Sequence, residues 1–126
     1  MTDINNDICI QLLVSNFYDN IKQDKLLGPV FFAMIGDSEA HLYTMNSFWK
    51  VVLFGTPGYT ENPFAKYDQF IITARHLERW LKLFQITVDT HFKGSKAEEA
   101  KVSAGKMAIV FQNKLARVRD KDRIIL

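Results

Sequence analysis

Three histidines and a set of large aromatic residues are the side chains of this sequence that could do chemistry. His41 and His76 each fall near the start of an apolar helical pattern, whereas His91 falls near the end of one, where a surface charge is typical. Tyr18 and Trp80 lie on apolar stripes, and a buried hydroxyl or indole N–H needs a hydrogen-bond partner. If the Tyr18 hydroxyl, the Trp80 indole and the His41 ring all point inward from different helices, they form a polar cluster in an apolar pocket. Many ligand sites have this character.

Other common catalytic arrangements do not occur in the sequence. It contains no HExxH, no cysteine–histidine pair at metal-binding spacing, no GxSxG turn and no glycine-rich phosphate loop. Its acidic residues are scattered over predicted helix surfaces and do not pair with a histidine on one face. An ordinary hydrolase is therefore hard to build from these residues.

Helical periodicity must position the candidate side chains. Apolar residues recur every three or four positions over residues 5–23, over a segment that stops at Gly55, over 73–90, and over a last segment that begins near Ser95. No alternation typical of a strand competes with these patterns. The sequence therefore predicts an all-α fold of about five helices, some of them short.

The boundaries between these helices are predicted from turn and cap residues. Gly28-Pro29 predicts a break, followed by a short helical piece over 30–35. Ser95 with Glu98 three positions later predicts a capping box. The irregular stretch over 55–70 is long for so small a chain, and such loops usually carry function or cover something.

Length and composition narrow the function classes. A chain of 126 residues with 48% hydrophobic residues suits a single domain over 1–126 with a buried core. A net charge of +2, from 16 basic and 14 acidic residues, does not indicate a nucleic-acid partner. No apolar run approaches the roughly 20 residues that cross a bilayer, so we expect no membrane partner. A single cysteine excludes an internal disulfide and is consistent with a cytoplasmic setting.

Eight short pieces of sequence, in order and spread over most of the chain, carry a family resemblance. They are Phe17-Tyr18; Asp24 with 27–31; His41-Leu42 with Met45; Phe48-Trp49; 55–59; Asn62-Pro63-Phe64; His76-Leu77 with 79–81 and Leu83-Phe84; and Thr87-Val88-Asp89. In this order and spacing they resemble the group III truncated haemoglobins. The resemblance implies a shortened globin fold in which helices pack two over two around a haem b.

The resemblance also assigns residues to the ligand side of that haem. In this family a tyrosine, a histidine and a tryptophan from three successive long helices typically line the distal pocket. They match Tyr18, His41 and Trp80. Three apolar residues are expected beside them: Phe17, Met45 and Phe48.

The iron-binding side departs from the family pattern. The family's proximal histidine falls a few residues after the Asn-Pro-Phe motif, where this sequence has Tyr67. Tyr67 is the favoured iron ligand, because it stands at the family's ligand position. Catalases are a precedent, since they hold haem iron through tyrosine. His76, which matches a second histidine that many members carry, is the alternative ligand. His41 could also coordinate iron from the distal side.

Two functions stay open at this point. The first is a haem protein that binds a diatomic ligand such as oxygen or NO, or peroxide, with a reductase as a further partner. Whether it is an enzyme, through haem-dependent peroxidase or NO and oxygen chemistry, also stays open. The alternative is a haem-free globin-like sensor or interaction domain, because Tyr67 replaces the usual proximal histidine.

Overall fold

The computed structural model describes residues 1–34, 38–58 and 72–124, and this part of the chain forms α-helices joined by turns, with no strand. The all-α prediction is confirmed. The five helices are α1 Asp7–Gln23, α2 Leu27–Met34, α3 Ser38–Phe54, α4 Ala74–His91 and α5 Ser95–Ile124.

The four long helices pack as two pairs, one across the other. α1 contacts α3, and α4 contacts α5, while α1 also packs on α4 and α3 on α5. The two-over-two arrangement expected from the resemblance is therefore confirmed. The core between the pairs is made of apolar residues from every helix, and within the described ranges no helix is both long and apolar enough to cross a membrane.

The first helix follows its sequence pattern closely. The side chain of Asn6 accepts a hydrogen bond from the backbone N–H of Cys9 at 3.0 Å. Asn6 is therefore the N-cap of α1, whose first helical residue is Asp7. The apolar stripe then faces the core: Ile10, Leu13, Val14, Phe17, Tyr18 and Ile21 are buried. This stripe places Phe17 and Tyr18 side by side on the inner surface of α1.

The predicted break at Gly28-Pro29 is wrong, because α2 begins at Leu27 and contains both residues in its first turn. Proline is tolerated there, since the first N–H groups of a helix have no partner within the helix. Gly28 has a packing role, because a Cβ at this position would lie 2.8 Å from the carbonyl oxygen of Lys22. The short helix therefore starts directly against the end of α1.

The ends that flank the long irregular region are defined by local signals. α3 ends at Phe54, and Gly55 follows with φ +66°, a left-handed conformation that favours glycine. α4 begins after Thr73, close to the predicted start at 73. Residues 59–71, which make up most of the long irregular stretch, lie outside the described residues.

The start of α5 is capped from the other end of the chain. The carboxylate of Asp3 accepts hydrogen bonds from the backbone N–H groups of Lys96 at 3.0 Å and Ala97 at 2.8 Å. The predicted Ser95–Glu98 capping box is therefore wrong. Ser95 is already the first helical residue, and the carboxylate of Glu98 contacts a lysine side chain. An acidic group at a helix N-terminus is favourable because of the helix dipole.

This cap draws the N-terminal segment onto the body of the protein. The N–H of Lys93 donates to the carbonyl of Thr2 at 3.0 Å, and Ile4 is fully buried. Gly94 has φ +147°, and a Cβ there would lie 2.4 Å from the Asp3 carboxyl carbon. Glycine is thus needed at Gly94 for both conformation and space.

Candidate functional site

The inner faces of α1 and α3 bring two polar side chains into contact. The Tyr18 hydroxyl lies 2.6 Å from Nε2 of His41, a short hydrogen bond between residues 23 apart in sequence. Their rings meet edge to face, with centroids 4.9 Å apart. Tyr18 is buried and His41 is half-buried in the first turn of α3, so the pair lies at the edge of the core.

Phe17 and Trp80 form the apolar surround of this pair. The Phe17 ring meets Tyr18 at 5.4 Å and the indole of Trp80 at 5.5 Å between centroids. Trp80 is 5% exposed, and Met45 of α3 is buried in the same core cluster. Five of the eight residues singled out from the sequence therefore belong to one cluster that spans α1, α3 and α4.

Two aromatic residues that belong to the family resemblance, but were not assigned to the pocket, extend this cluster. Phe84 stacks on Trp80 with centroids 5.9 Å apart, and Trp49 stacks on Phe84 at 5.0 Å. The signal was present in the spacing, since Trp80 and Phe84, like Met45 and Trp49, are four residues apart and share a helix face. Phe48 is half-buried and contacts the edge of Trp49, at the border of the cluster.

His76 does not join the cluster through any bond described for it. Its Nδ1 accepts a hydrogen bond from the backbone N–H of Thr73 at 3.0 Å, and the Thr73 hydroxyl lies 2.9 Å from the same nitrogen. The side chain thus satisfies a backbone donor at the start of α4, as the third residue of a capping box does. In a neutral ring whose Nδ1 accepts, Nε2 carries the proton.

An ion pair beside the cluster fixes α4 against the turn between α1 and α2. Arg79 donates from Nε and Nη2 to one oxygen of Asp24, both at 2.8 Å. Asp24 also accepts from the N–H groups of Leu26 and Leu27 and so caps α2. Burial raises the pKa of Asp24, but these hydrogen bonds and the guanidinium charge outweigh it, and the pKa lies below its usual value. The pair holds the α4 backbone next to Trp80.

The other candidate residues named from the sequence lie elsewhere. His91 is exposed at the end of α4, as expected of a surface charge. Tyr67 and the Asn62-Pro63-Phe64 motif lie outside the described residues. Among the residues that are described, no three His, Cys, Asp or Glu side chains are grouped so that they could hold a metal ion.

Comparison with known proteins connects this arrangement to one family. The chain is 30% identical over 115 residues to a Campylobacter jejuni protein described as group 3 truncated hemoglobin ctb, covering 87% of this chain and 91% of that protein. It is also similar to the crystal structure of the group III truncated hemoglobin from Campylobacter jejuni, with a TM-score of 0.81 and 29% identity over 91% of this chain and 95% of that one. No family model matches the chain. On this similarity in sequence and fold, the chain belongs to the group III truncated haemoglobin family.

Proposed function

We propose that this protein holds a haem b and that Tyr18, His41 and Trp80 surround a small ligand on one side of it. The observation that carries the proposal is the 2.6 Å contact between the Tyr18 hydroxyl and His41 Nε2 inside a cluster of aromatic rings. A bound haem would supply an iron to which a diatomic gas or peroxide coordinates. The chain itself would supply hydrogen-bond donors in a largely dry surround, where such donors act strongly.

The Tyr18–His41 bond makes the availability of the phenol proton depend on the histidine. If Nδ1 of His41 carries the ring proton, the phenol donates to Nε2 and its proton is already used. If Nε2 carries it, the imidazole donates to the phenol oxygen, and the hydroxyl proton is not used in the bond to His41. The second tautomer is therefore the one in which Tyr18 can stabilise a ligand that bears partial negative charge.

His41 is also a candidate iron ligand, and its contact with Tyr18 opposes that role. A neutral imidazole must present an unprotonated nitrogen to a metal. Nε2, the outer nitrogen of His41, is engaged at 2.6 Å with the phenol. We therefore expect Tyr18→Phe to increase any six-coordinate, low-spin fraction of the haem-loaded protein, and His41→Ala to remove it. A low-spin signal that survives His41→Ala comes from another residue.

His76 fits the role of iron ligand poorly. Its Nδ1 accepts the Thr73 N–H, which leaves Nε2 protonated. To bind iron, the ring would have to break its hydrogen bond at the start of α4, or its proton would have to move from Nε2 to Nδ1. We therefore favour Tyr67 as the iron ligand, on the resemblance, since Tyr67 stands where the family carries its histidine. A phenolate is anionic and hard, so Tyr67 would favour ferric chemistry, such as peroxide or anion binding, over oxygen storage.

The spectrum of the purified protein with and without added haemin tests the proposal. We expect an absorption band near ~400 nm, as for haem held in a protein pocket. A protein that stays colourless after haemin is added is a haem-free globin-like sensor or interaction domain, and that result rejects the proposed function. Tyr67→Phe should change the ferric spectrum and lower haem retention, whereas His76→Ala should leave both unchanged. The reverse pattern would reject Tyr67 as ligand, and the exposed His91→Ala serves as control.

A further inference from the structure

The last helix, α5, carries apolar side chains on two opposite faces. Its inner face packs in the core through Ala97, Ala100, Ala104, Ala108, Phe111 and Leu115. On the other side, Val102, Ile109 and Val110 are 56%, 60% and 58% exposed. We call the surface that contains them the α5 outer face. Its members lie on the side of the helix opposite the buried residues and are Glu98, Val102, Gly105, Lys106, Ile109, Val110, Asn113 and Arg117. Three exposed branched apolar residues on one helix face are unusual for a surface that meets only water.

Gly105 leaves a gap in the middle of this face. Glycine is among the least favourable residues in a helix interior, and it is usually explained by a close neighbour. Here a Cβ at Gly105 would meet nothing within 4 Å, so the packing of this chain does not require the glycine. The absent side chain leaves space on the outer face that a side chain from outside could fill.

The two ends of the face carry opposite charges. Glu98 lies in the first turn of α5, where its carboxylate contacts Lys101 at 2.9 Å and its side chain stays 70% exposed. Arg117 lies near the other end, exposed and without an ion pair to the part of the chain that the structure describes. Such a face is complementary to itself when a second copy of the helix runs antiparallel. That orientation also sets the two helix dipoles in the favourable sense.

In one antiparallel register most positions of the face have a complementary partner; the exception is Val102, which lies opposite residue 113 of the second copy, an asparagine. With the midpoint between Met107 and Ala108, Glu98 lies opposite the second copy's residue 117, an arginine. In the same register the gap at Gly105 lies opposite residue 110, a valine, and Ile109 lies opposite the aliphatic stem of residue 106, a lysine. The charges at the two ends and the gap at Gly105 thus favour this alignment.

We propose that the α5 outer face is an interface between two copies of this chain, with their α5 helices antiparallel around a two-fold axis near Met107. The face from Glu98 to Arg117 is about 28 Å long at the rise of an α-helix. One helix pair of this length is a small interface, so the dimer should be in exchange with monomer and should dissociate on dilution. The proposal does not depend on whether haem is bound.

Sedimentation velocity of the purified protein over a wide concentration range tests the interface. We expect a monomer–dimer equilibrium that Ile109→Asp shifts to monomer by at least tenfold in dissociation constant. The matched control is Ile8→Asp on α1, which replaces another exposed isoleucine on a helix that makes no contact with α5 among the described residues, and which should associate like the wild type. A wild type that is monomeric at every concentration overturns the proposal, as does a control that dissociates equally or a series of ever larger species.

Charge reversal tests the register. Glu98→Lys and Arg117→Glu should each weaken association several-fold, because each creates like charges at both ends of the face. The double variant restores opposite charges and should recover most of the wild-type affinity; failure to recover overturns the antiparallel alignment. Gly105→Ala should raise the melting temperature of the monomer and still weaken the dimer. If Gly105→Ala associates as tightly as the wild type, the assignment of the gap is wrong.

Discussion

His41 and His76 stand in comparable places, in the first turns of two long helices, and the fold uses them differently. His41 bonds to the Tyr18 hydroxyl, which belongs to another helix and lies 23 residues away. His76 bonds to the backbone N–H of Thr73, three residues before it. Both are half-buried histidines beside an apolar stripe, so local sequence does not separate them. The partner of each ring, local or distant, is what makes one a candidate for ligand chemistry and the other a helix cap.

Because one histidine has a local partner and the other a partner on another helix, only one of the two bonds should depend on tertiary packing. The His76–Thr73 bond forms within one turn of α4 and needs only that turn. The His41–Tyr18 bond needs α1 and α3 to be held together. Phe84 of α4 does part of that, because it contacts Phe17 of α1 and Trp49 of α3. Changes in the core should therefore disturb His41 while leaving His76 in place.

The largest effect is expected from Phe17→Ala. Phe17 is 3% exposed and contacts Tyr18, Trp80 and Phe84, so its loss should lower the free energy of unfolding by about 3–5 kcal/mol. Urea unfolding measures this. Tyr43→Ala is the control, because Tyr43 is 78% exposed and its replacement should stay within about 0.5 kcal/mol. Equal losses in the two variants would contradict the role given to Phe17.

Asp24→Asn distinguishes the two roles of this side chain, the local cap of α2 and the ion pair with Arg79 of α4. Asparagine can still cap α2, but it loses the charge that pairs with Arg79, and we expect a loss of about 1–3 kcal/mol. The lowered pKa of Asp24 means that its contribution is present above the carboxyl's unfolded pKa and is lost as pH falls through the folded value.

Urea unfolding between neutral and acid pH therefore checks this assignment. The wild type should lose stability as the solution is acidified, and Asp24→Asn should lose less because it lacks this carboxylate. Asp19→Asn changes an exposed carboxylate on α1 and should follow the wild type. If Asp24→Asn loses as much stability on acidification as the wild type does, other carboxylates cause that loss.

Tyr18→Phe tests the distant histidine bond directly. In haem-loaded protein that takes up a ligand, we expect dissociation to be roughly tenfold faster, because one hydrogen bond of ~1.4 kcal/mol corresponds to one decade. Stopped-flow ligand displacement gives the rate. An unchanged rate would remove Tyr18 from the ligand side.

The smallest effect is expected from His76→Ala. Loss of the bond at the start of α4 should cost ~1 kcal/mol, as for other N-terminal helix caps, and haem retention should not change. Thermal unfolding measures the loss of stability. The control is His91→Ala, which replaces an exposed histidine of the same helix. A large loss of haem in His76→Ala alone would reverse the contrast between the two histidines.

Local signals account for most of the helices. The stripe of α1, the left-handed glycine after α3 and the start of α4 at Thr73 all follow from side chains within a turn or two. They could be predicted because hydrophobic spacing and caps act over three or four residues. Gly28 was predicted to break the helix, but it is a glycine because the backbone there lies close to the end of α1. That contact exists only once the two helices are packed.

The residue types and their periodicity determined that this chain is helical and that Tyr18 and Trp80 lie on apolar stripes. Only the tertiary structure decided which partners they meet. The Tyr18–His41 bond, the Trp80–Phe84–Trp49 stack and the capping of α5 by Asp3 all join helices or segments that are far apart in sequence. The physical reason is that spacing fixes the face on which a side chain lies, whereas the packing of one helix on another selects the contact that the face makes.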